Sequence, residues 1–370
     1  MIHKKSIIPA VAVLIGTTIG VGFLGIPYVV SKSGFIPGFF LLLAIALFML
    51  VMKLYLGEII LRTNGNHQLT GYAEKYLGKK GKFLMFFSML FGIYSALLAY
   101  LIGEGESLSY LFGINTPLFF SLLFWCLMLF LTYIGLRALK KYEKIAIFIV
   151  LAIILMIFVF YFKDIKAENL SYINKNNLFA PFGVILFSFL AFSAMPEVKR
   201  LLYGNERKMK KVVFLGVFIP LIAYSLFTLI SVGVFGSSIK EIATLSFGRF
   251  FSLLGIITMF TAYFTLCIAI RDMFRFDFKL GRTRGWLVAN ILPLILFLLV
   301  YFFKLASFTK ILAVSGVVSA GLTGILILFM NKNAKLIGKR KPEYALHIDW
   351  KIIAVLSILF ILAVVMEFLP

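Results

Sequence analysis

The stretch LIGTTIGVGFLGIP, residues 14–27, holds four glycines and a proline inside an apolar run. Each interior glycine lowers helix propensity by roughly 1 kcal/mol relative to alanine. Unwinding a helix here would free N–H groups, which bind a carboxylate, and carbonyl groups, which bind a cation or an ammonium group. The pattern therefore indicates a binding site made of backbone. Close helix packing is the alternative, because Gly16 and Gly20 form a G-x-x-x-G pair.

A second interrupted stretch, PFGVILFSFLAFSAMPEVKR, covers residues 181–200. Small and polar residues interrupt its aromatic residues, namely Ser188, Ala191, Ser193 and Ala194. The two stretches cross in opposite directions, and a proline, Pro27 or Pro196, lies beyond each break. This relation is typical of an inverted repeat in which two discontinuous helices enclose a substrate.

The composition indicates the class of protein to which these stretches belong. The chain is 62% hydrophobic and 14% charged, against roughly 25% charged residues in a soluble domain. We therefore expect an integral membrane protein with the lipid bilayer as its surroundings. The net charge of +22 does not indicate a nucleic-acid partner, because the basic residues form short clusters between apolar runs.

Eleven apolar runs are long enough to span a bilayer, at about 20 residues each. In chain order, these predicted spans 1–11 are residues 7–30, 36–61, 83–110, 116–136, 145–162, 180–201, 212–234, 249–270, 286–302, 308–330 and 351–368. We expect a single transporter domain with a first five-helix repeat over 7–162 and a second over 180–330. Span 11 would be an additional helix.

The distribution of Lys and Arg predicts the orientation. The connectors on the side of the N-terminus carry 28 of these residues, those on the opposite side carry 8, and Lys53 lies within span 2. Because cytoplasmic loops are enriched in Lys and Arg, we expect the chain in the cytoplasmic membrane, with the N-terminus in the cytoplasm and the C-terminus outside.

At GTTIGVGFLGIP, residues 16–27, the sequence resembles the aromatic and hydroxy amino acid permeases of the amino acid/auxin permease group. Span 6 is similar to theirs in its ending at Phe192, Ser193, Pro196 and Glu197. The resemblance implies an all-α membrane protein with a LeuT-like five-plus-five inverted repeat, and secondary active uptake of amino acids.

The resemblance also implies which residues meet the substrate. From span 1 these are Thr17, Thr18, Gly20, Gly22 and Phe23, and from span 6 they are Phe189, Ala191, Phe192 and Ser193. The backbone N–H and hydroxyl groups of span 1 would bind the carboxylate, and the aromatic rings would meet the side chain. The carbonyl groups of Gly16 and Ile19 would face an ion or the substrate amine.

Two sets of residues are candidates for ion coupling. Thr258, Thr261 and Thr265 share one face of span 8 and, with the span 1 carbonyl groups, could hold sodium, although no second hydroxyl follows Thr265 in the sequence. Glu58 and Glu197, near the N-terminal-side ends of their spans, could instead carry a proton. We favour the proton.

Other charges in or near the membrane have simpler interpretations. Lys53 could extend to the surface or pair with Glu58 or Glu197. Glu104 and Glu106, near the far end of span 3, are expected to form an exposed acidic rim, with cation attraction or gating as the alternative.

The sequence thus predicts a monomeric symporter for aromatic or other neutral amino acids. It is not expected to be an enzyme or to need a cofactor beyond H⁺ or Na⁺. An amino acid receptor of the same fold, like the spore germination membrane subunits, is the alternative function.

Overall fold

A computed structural model describes residues 6–134, 138–277 and 280–368. Some basic residues of the predicted connectors, Lys4, Lys5, Arg137 and Lys279, lie outside this part. Within it, ten helices are long and apolar enough to cross a membrane, and a bent pair makes an eleventh span. The α-helices, α1–α14 in chain order, are Ile8–Thr18, Gly22–Ser33, Phe35–Leu61, Leu69–Phe112, Pro117–Ile134, Ala138–Tyr161, Ala167–Ser171, Phe182–Ser188, Met195–Leu201, Met209–Phe235, Arg249–Asp277, Arg282–Phe303, Phe308–Ile337 and Trp350–Phe368.

The predicted spans correspond to these helices in order. Span 1 is α1 with α2, span 6 is α8 with α9, and the short α7 lies in the loop before span 6. The largest difference concerns α4, which begins at Leu69 rather than near residue 83 and bends at Gly78, where φ is +71°. Its first part carries several lysines, so hydropathy alone did not include it in the span.

Both predicted breaks are present. The helices α1 and α2 meet at 51° across residues 19–21. In the other break, α8 ends at Ser188 and Ala191 adopts a left-handed backbone with φ +36°, before a 3₁₀ turn leads into α9. The interruptions therefore lie five spans apart, as an inverted repeat requires.

Glycine allows the two broken spans to touch. A Cβ atom on Gly22 would lie 2.9 Å from the Cα of Ser188 and 3.0 Å from Cδ1 of Phe187. A real side chain at this position would push α2 away from α8. Gly22 thus holds the start of α2 against the end of α8, which brings both breaks to one point in the core.

Helix α13 lies at the centre of the bundle, where α4, α8 and α14 pack on it. Two hydroxyl contacts join it to α4, because Ser88 Oγ donates to the Ser319 carbonyl and Ser319 Oγ donates to the Ser88 carbonyl, each at 2.9 Å. In contrast, α5, α12 and α14 expose many large apolar side chains, which is expected of helices that face lipid. The broken spans are therefore supported by protein and not by lipid.

The connector between α13 and α14 covers the C-terminal half of α3, which lies on the same side of the protein as the N-terminus. The Leu346 N–H donates to Glu58 Oε2 at 2.9 Å, and the Tyr344 hydroxyl donates to the Leu54 carbonyl at 2.8 Å. Glu58 is fully buried and also pairs with Arg62 at 2.9 Å and Lys335 at 3.7 Å. This carboxylate fastens a loop to the bundle.

The expectation for Lys53 was wrong. Its side chain is 0% exposed, so it does not extend to the surface. Its Nζ has no hydrogen-bond partner among the described residues, so it pairs with neither Glu58 nor Glu197. The span sequence could not show this, because rotation of α3 about its axis decides whether position 53 faces lipid or the bundle.

Two glycines of α13 provide a matched test of the central packing. A Cβ atom on Gly316 would lie 2.9 Å from the Phe187 nitrogen and press on the Gly183 carbonyl, both backbone atoms of α8. We expect Gly316→Ala to lower the unfolding free energy of the detergent-solubilised protein by about 1–3 kcal/mol, the usual cost of overpacking. Thermal melting would measure it.

Gly321→Ala is the control in the same helix, since the nearest atom to its new methyl would be the Val364 side chain at 3.6 Å. Its melting temperature should stay unchanged or rise slightly, because alanine favours helix. Equal effects of the two substitutions would contradict the packing of α13 against α8.

Candidate functional site between two broken helices

Two cavities adjoin the breaks in the described part of the chain, and the larger of these two lies where the breaks meet. It measures about 110 Å³ and is bounded by span 1, α4, the break of span 6 and α13. Its walls are apolar side chains and small residues, with a few hydroxyl groups. The lining residues are Thr17, Thr18, Gly20, Val21, Gly22, Leu69, Met89, Gly92, Ile93, Ala96, Tyr100, Phe187, Ser188, Leu190, Ala191, Phe192, Ser193, Leu266, Ser319 and Thr323.

Helix ends give this cavity its polarity. The start of α2 at Gly22, with Gly20 and Val21 just before it, lines this cavity, and the N–H groups at a helix start carry partial positive charge that suits a carboxylate. The last residues of α1 and α8, Thr18 and Ser188, line the same space. Carbonyl groups at helix ends carry partial negative charge. One cavity thus presents both signs without a charged side chain.

A single hydroxyl group connects the two breaks. Tyr224 of α10 is 0% exposed, and its Oη lies 2.8 Å from the Thr18 carbonyl oxygen and 3.2 Å from the Ser188 carbonyl oxygen. Its one proton is shared between the carbonyl groups that end α1 and α8. Sequence analysis missed this residue because α10 is predominantly apolar after its first turn and nothing local distinguishes position 224.

Two predicted substrate contacts pack on Tyr224 instead. The Phe23 ring stacks on it with centroids 6.0 Å apart, and the Phe189 ring meets it edge-on at 5.2 Å. Both phenylalanines are fully buried and neither lines a cavity. In the structure, these two rings therefore support Tyr224, which joins the breaks. The span sequences alone did not show which way the two side chains point.

The remaining predicted substrate residues do meet in the larger cavity. Ala191, Phe192 and Ser193 form the span 6 wall, and Gly20 and Gly22 form the span 1 wall. The two threonines line it as well, but their hydroxyl groups donate to their own helix, from Thr17 to the Val13 carbonyl at 2.8 Å and from Thr18 to the Leu14 carbonyl at 2.7 Å. In this arrangement only the threonine oxygens are available, as acceptors.

A smaller cavity of about 70 Å³ lies beside the end of α1, between that end, α6 and α11. It brings together the predicted ion residues Gly16, Ile19, Thr258, Thr261 and Thr265. Each threonine hydroxyl donates to a carbonyl of its own helix at 2.8–3.1 Å, which leaves the oxygen lone pairs free to accept. The arrangement is compatible with a cation held by neutral oxygens, and that role stays a prediction.

Tyr100 lines both cavities, as Thr17 and Leu266 also do. With Met89, Ile93 and Ala96 it forms one face of α4, at spacings of three and four residues. A Cβ atom on Gly20 would lie 3.0 Å from its hydroxyl oxygen. Sequence analysis did not identify this face, because α4 is apolar all round at this depth and has no polar stripe to fix its rotation.

The two carboxylates predicted to couple to protons lie away from both cavities. Glu58 is held by Arg62 and the Leu346 N–H. Glu197, in α9, lies 3.9 Å from Arg200 with its side chain partly exposed. A role for either in coupling stays a prediction, and neither is among the residues that line the two cavities.

Removal of the Tyr224 hydroxyl group should destabilise both breaks. In Tyr224→Phe, two buried carbonyl groups lose a donor, and an unsatisfied buried group costs about 1–3 kcal/mol. We expect a lower melting temperature and weaker binding of any ligand in the cavity, measured on purified protein. Tyr301→Phe on α12, where the residue is 41% exposed, is the control and should change neither. An unchanged melting temperature in Tyr224→Phe would contradict this role.

Comparisons with known proteins agree with the geometry. The chain is 27% identical to the tyrosine-specific transport system 1 of Haemophilus influenzae, over 62% of this chain and 60% of the relative. It is 25% identical to the glutamine transporter 2 of Aliivibrio fischeri, over 57% of each chain. The chain thus spans 57–60% of the length of these curated relatives.

A crystal structure of MhsT in complex with L-phenylalanine has the same fold, with a TM-score of 0.63, 14% identity and 98% coverage of both chains. This likeness confirms the expected LeuT-like fold with discontinuous helices in spans 1 and 6. The model of the tryptophan/tyrosine permease family matches residues 3–246, which is most of the chain. Family membership agrees with the expectation of a multi-pass membrane protein that is not an enzyme. The chain belongs to the tryptophan/tyrosine permease family.

Proposed function

We propose that this protein is a secondary active transporter that takes up aromatic or other neutral amino acids with protons. The observation that carries the proposal is the larger cavity, where the start of α2 and the ends of α1 and α8 meet. An amino acid has a carboxylate and an ammonium group on one carbon atom. The helix ends offer partial charges of both signs within one small space.

The cavity walls favour an uncharged side chain. The groups away from the helix ends are apolar or aromatic, among them Met89, Ile93, Phe187, Leu190 and Phe192. None of the residues lining this cavity in the described part of the chain is charged. A charged substrate side chain would lose its hydration here without gaining a partner, so neutral substrates are favoured.

The relatives support the same substrate class. Those named above are a tyrosine-specific transport system and a glutamine transporter, and the MhsT structure contains L-phenylalanine. Their substrates are neutral amino acids, two of them aromatic. Because one chain lines the whole cavity, we propose that the protein works as a monomer.

The side of the protein opposite the N-terminus is called the far side. On this side, the site is closed in the structure. Leu24 and Ile26, in the first turns of α2, are fully buried, and the turn Ala243–Ser246 packs on α2 and α11. On the other side of the break, Thr265 at the smaller cavity is exposed. We propose that this is the state of alternating access that faces the side of the N-terminus.

Uptake into proteoliposomes tests the function. We expect labelled tyrosine, tryptophan, phenylalanine or glutamine to accumulate several-fold more with an inward proton gradient than without one, in sodium-free buffer. A protonophore should abolish the difference. Strict dependence on sodium, with loss in Thr265→Val, would instead assign the coupling ion to the smaller cavity. Binding without counterflow would indicate a receptor.

A matched glycine pair connects uptake to the cavity. In Gly20→Ala the new methyl would meet the Tyr100 hydroxyl oxygen at 3.0 Å, and we expect at least a tenfold loss of affinity, about 1.4 kcal/mol. Gly321→Ala, which faces α14, should transport normally. Equal transport by both variants would place the substrate elsewhere.

We further propose the cytoplasmic membrane as the location, with the N-terminus in the cytoplasm, from the excess of 28 over 8 basic residues. A reporter fused after residue 370 should be accessible from outside the cell. A reporter in the connector between α13 and α14, residues 338–349, should be accessible only from inside. Reporters on the same side would contradict the eleven-span arrangement.

A further inference from the structure

We propose that Glu104 of α4 is the group that carries the transported proton. This inference rests on the proposed function and adds a site to it. Glu104 had been expected at an exposed rim with Glu106. The structure leaves Glu106 exposed but buries Glu104 completely, at 0% exposure. Burial inside the bundle makes Glu104 a candidate for function, as an ionisable residue at this depth usually is.

The position of Glu104 connects it to the substrate site. It follows Tyr100 by four residues on the α4 face that also carries Ile93 and Ala96, so it lies about 6 Å beyond Tyr100 along the axis. Tyr100 lines both cavities. Glu104 therefore lies one helical turn from the substrate site, on its closed side.

Neither carboxyl oxygen of Glu104 has a hydrogen-bond partner among the described residues. An ionised carboxylate buried without a partner costs far more free energy than the neutral acid. In the conformation seen here, with the far side closed, the neutral form is thus the one that the surroundings tolerate. Closing the far side over Glu104 requires a proton.

The charged side chains of the neighbouring helices do not change this conclusion. At the far end of α11, Arg249 lies beside Gly113. In α13, Lys310 pairs with Glu367 at 2.8 Å. After α12, Lys304 is exposed, and α5 contains no charged residue. No cation from these helices forms an ion pair with Glu104 within the described ranges.

The far-side loop places its charges elsewhere too. Lys240 Nζ lies over the Tyr110 ring, 4.5 Å from its centroid. Glu241 Oε2 accepts a hydrogen bond from the Thr309 N–H at 3.3 Å. Both charges influence Glu106, which is exposed. Neither loop charge is an ion-pair partner of Glu104 in the described part of the chain.

A second observation concerns the hydroxyl groups of the same half of the bundle. Several are buried and have no hydrogen-bond partner in the described part of the chain, on α4, α10, the far-side loop and α13; they belong to Ser107, Thr228, Thr244 and Ser315. Unpaired buried hydroxyl groups are costly. Opening this half to water would satisfy them and would hydrate Glu104. In the closed state these polar groups stay buried and unpaired, whereas in an open state water would solvate them.

The proton then has a complete route. In the state open to the far side, the hydrated Glu104 carboxylate accepts a proton from water and becomes a neutral acid. The far side closes over it, and the cavity opens on the N-terminal side. Water in the opened cavity beside Tyr100 then takes up that proton, which regenerates a carboxylate without a partner and favours return to the far-open state. One proton crosses per cycle, and no other group changes charge.

Glu104→Gln tests this role, because glutamine is close in shape to the neutral acid but cannot release a proton. In proteoliposomes we expect counterflow of labelled amino acid within about twofold of the unaltered protein. Accumulation driven by a proton gradient should fall to the level without a gradient. Substrate-induced proton influx, followed with an internal pH dye, should be lost.

Glu106→Gln is the matched control, two residues further along the same helix, and should retain gradient-driven accumulation and proton influx. Gradient-driven accumulation and proton influx in Glu104→Gln would overturn the proposal. So would a folded Glu104→Gln protein that has lost counterflow, because Glu104 would then serve substrate binding. If Glu104→Gln does not fold, Glu104→Asp decides: we expect proton-driven uptake with a shifted pH profile, and an unchanged profile would overturn the proposal.

Different results would contradict the transporter assignment and the role of Glu104. If the unaltered protein shows no counterflow of any amino acid, the transporter assignment is wrong. If it shows counterflow and only sodium drives accumulation, the transporter assignment stands and the role of Glu104 is overturned.

Discussion

The Tyr224 hydroxyl group is the contact on which the site depends. It reaches the last carbonyl groups of α1 and α8, at 2.8 and 3.2 Å. Backbone that leaves a helix inside a membrane must find new partners, because no water is present in the hydrocarbon region. One phenol from a third helix serves both breaks, and the rings of Phe23 and Phe189 pack against it. The breaks are therefore held at a fixed distance from each other.

Glycine supplies the other half of this arrangement. Gly22 allows the start of α2 to touch Ser188, and Gly316 allows α13 to touch the backbone of α8. Both contacts exclude a Cβ atom, so they position backbone against backbone. The helix ends thus reach one small cavity, where their partial charges face the same space. Charged side chains are unnecessary for binding a zwitterion in such a place.

Buried polar groups of the bundle fall into two classes. The Glu58 carboxylate, on the N-terminal side, has two basic partners and a backbone N–H, which fastens the connector after α13. Glu104, Lys53 and several hydroxyl groups are instead buried without hydrogen-bond partners in the described part of the chain. A satisfied network favours one arrangement, whereas an unsatisfied one is stable only while the structure around it stays closed.

The membrane class, the order of eleven spans and the places where spans 1 and 6 break could all be predicted from the amino-acid sequence. These features are local, since apolar length, glycine and proline act on the backbone within a few residues. The cavity residues that belong to the breaks themselves, such as Gly20 and Ser193, could be predicted for the same reason. The positions of Tyr224, Tyr100 and Glu104 relative to the site depend instead on how the helices pack. A span that is apolar on every side has no stripe to fix its rotation, so the packing of neighbouring helices determines which side chains face the site.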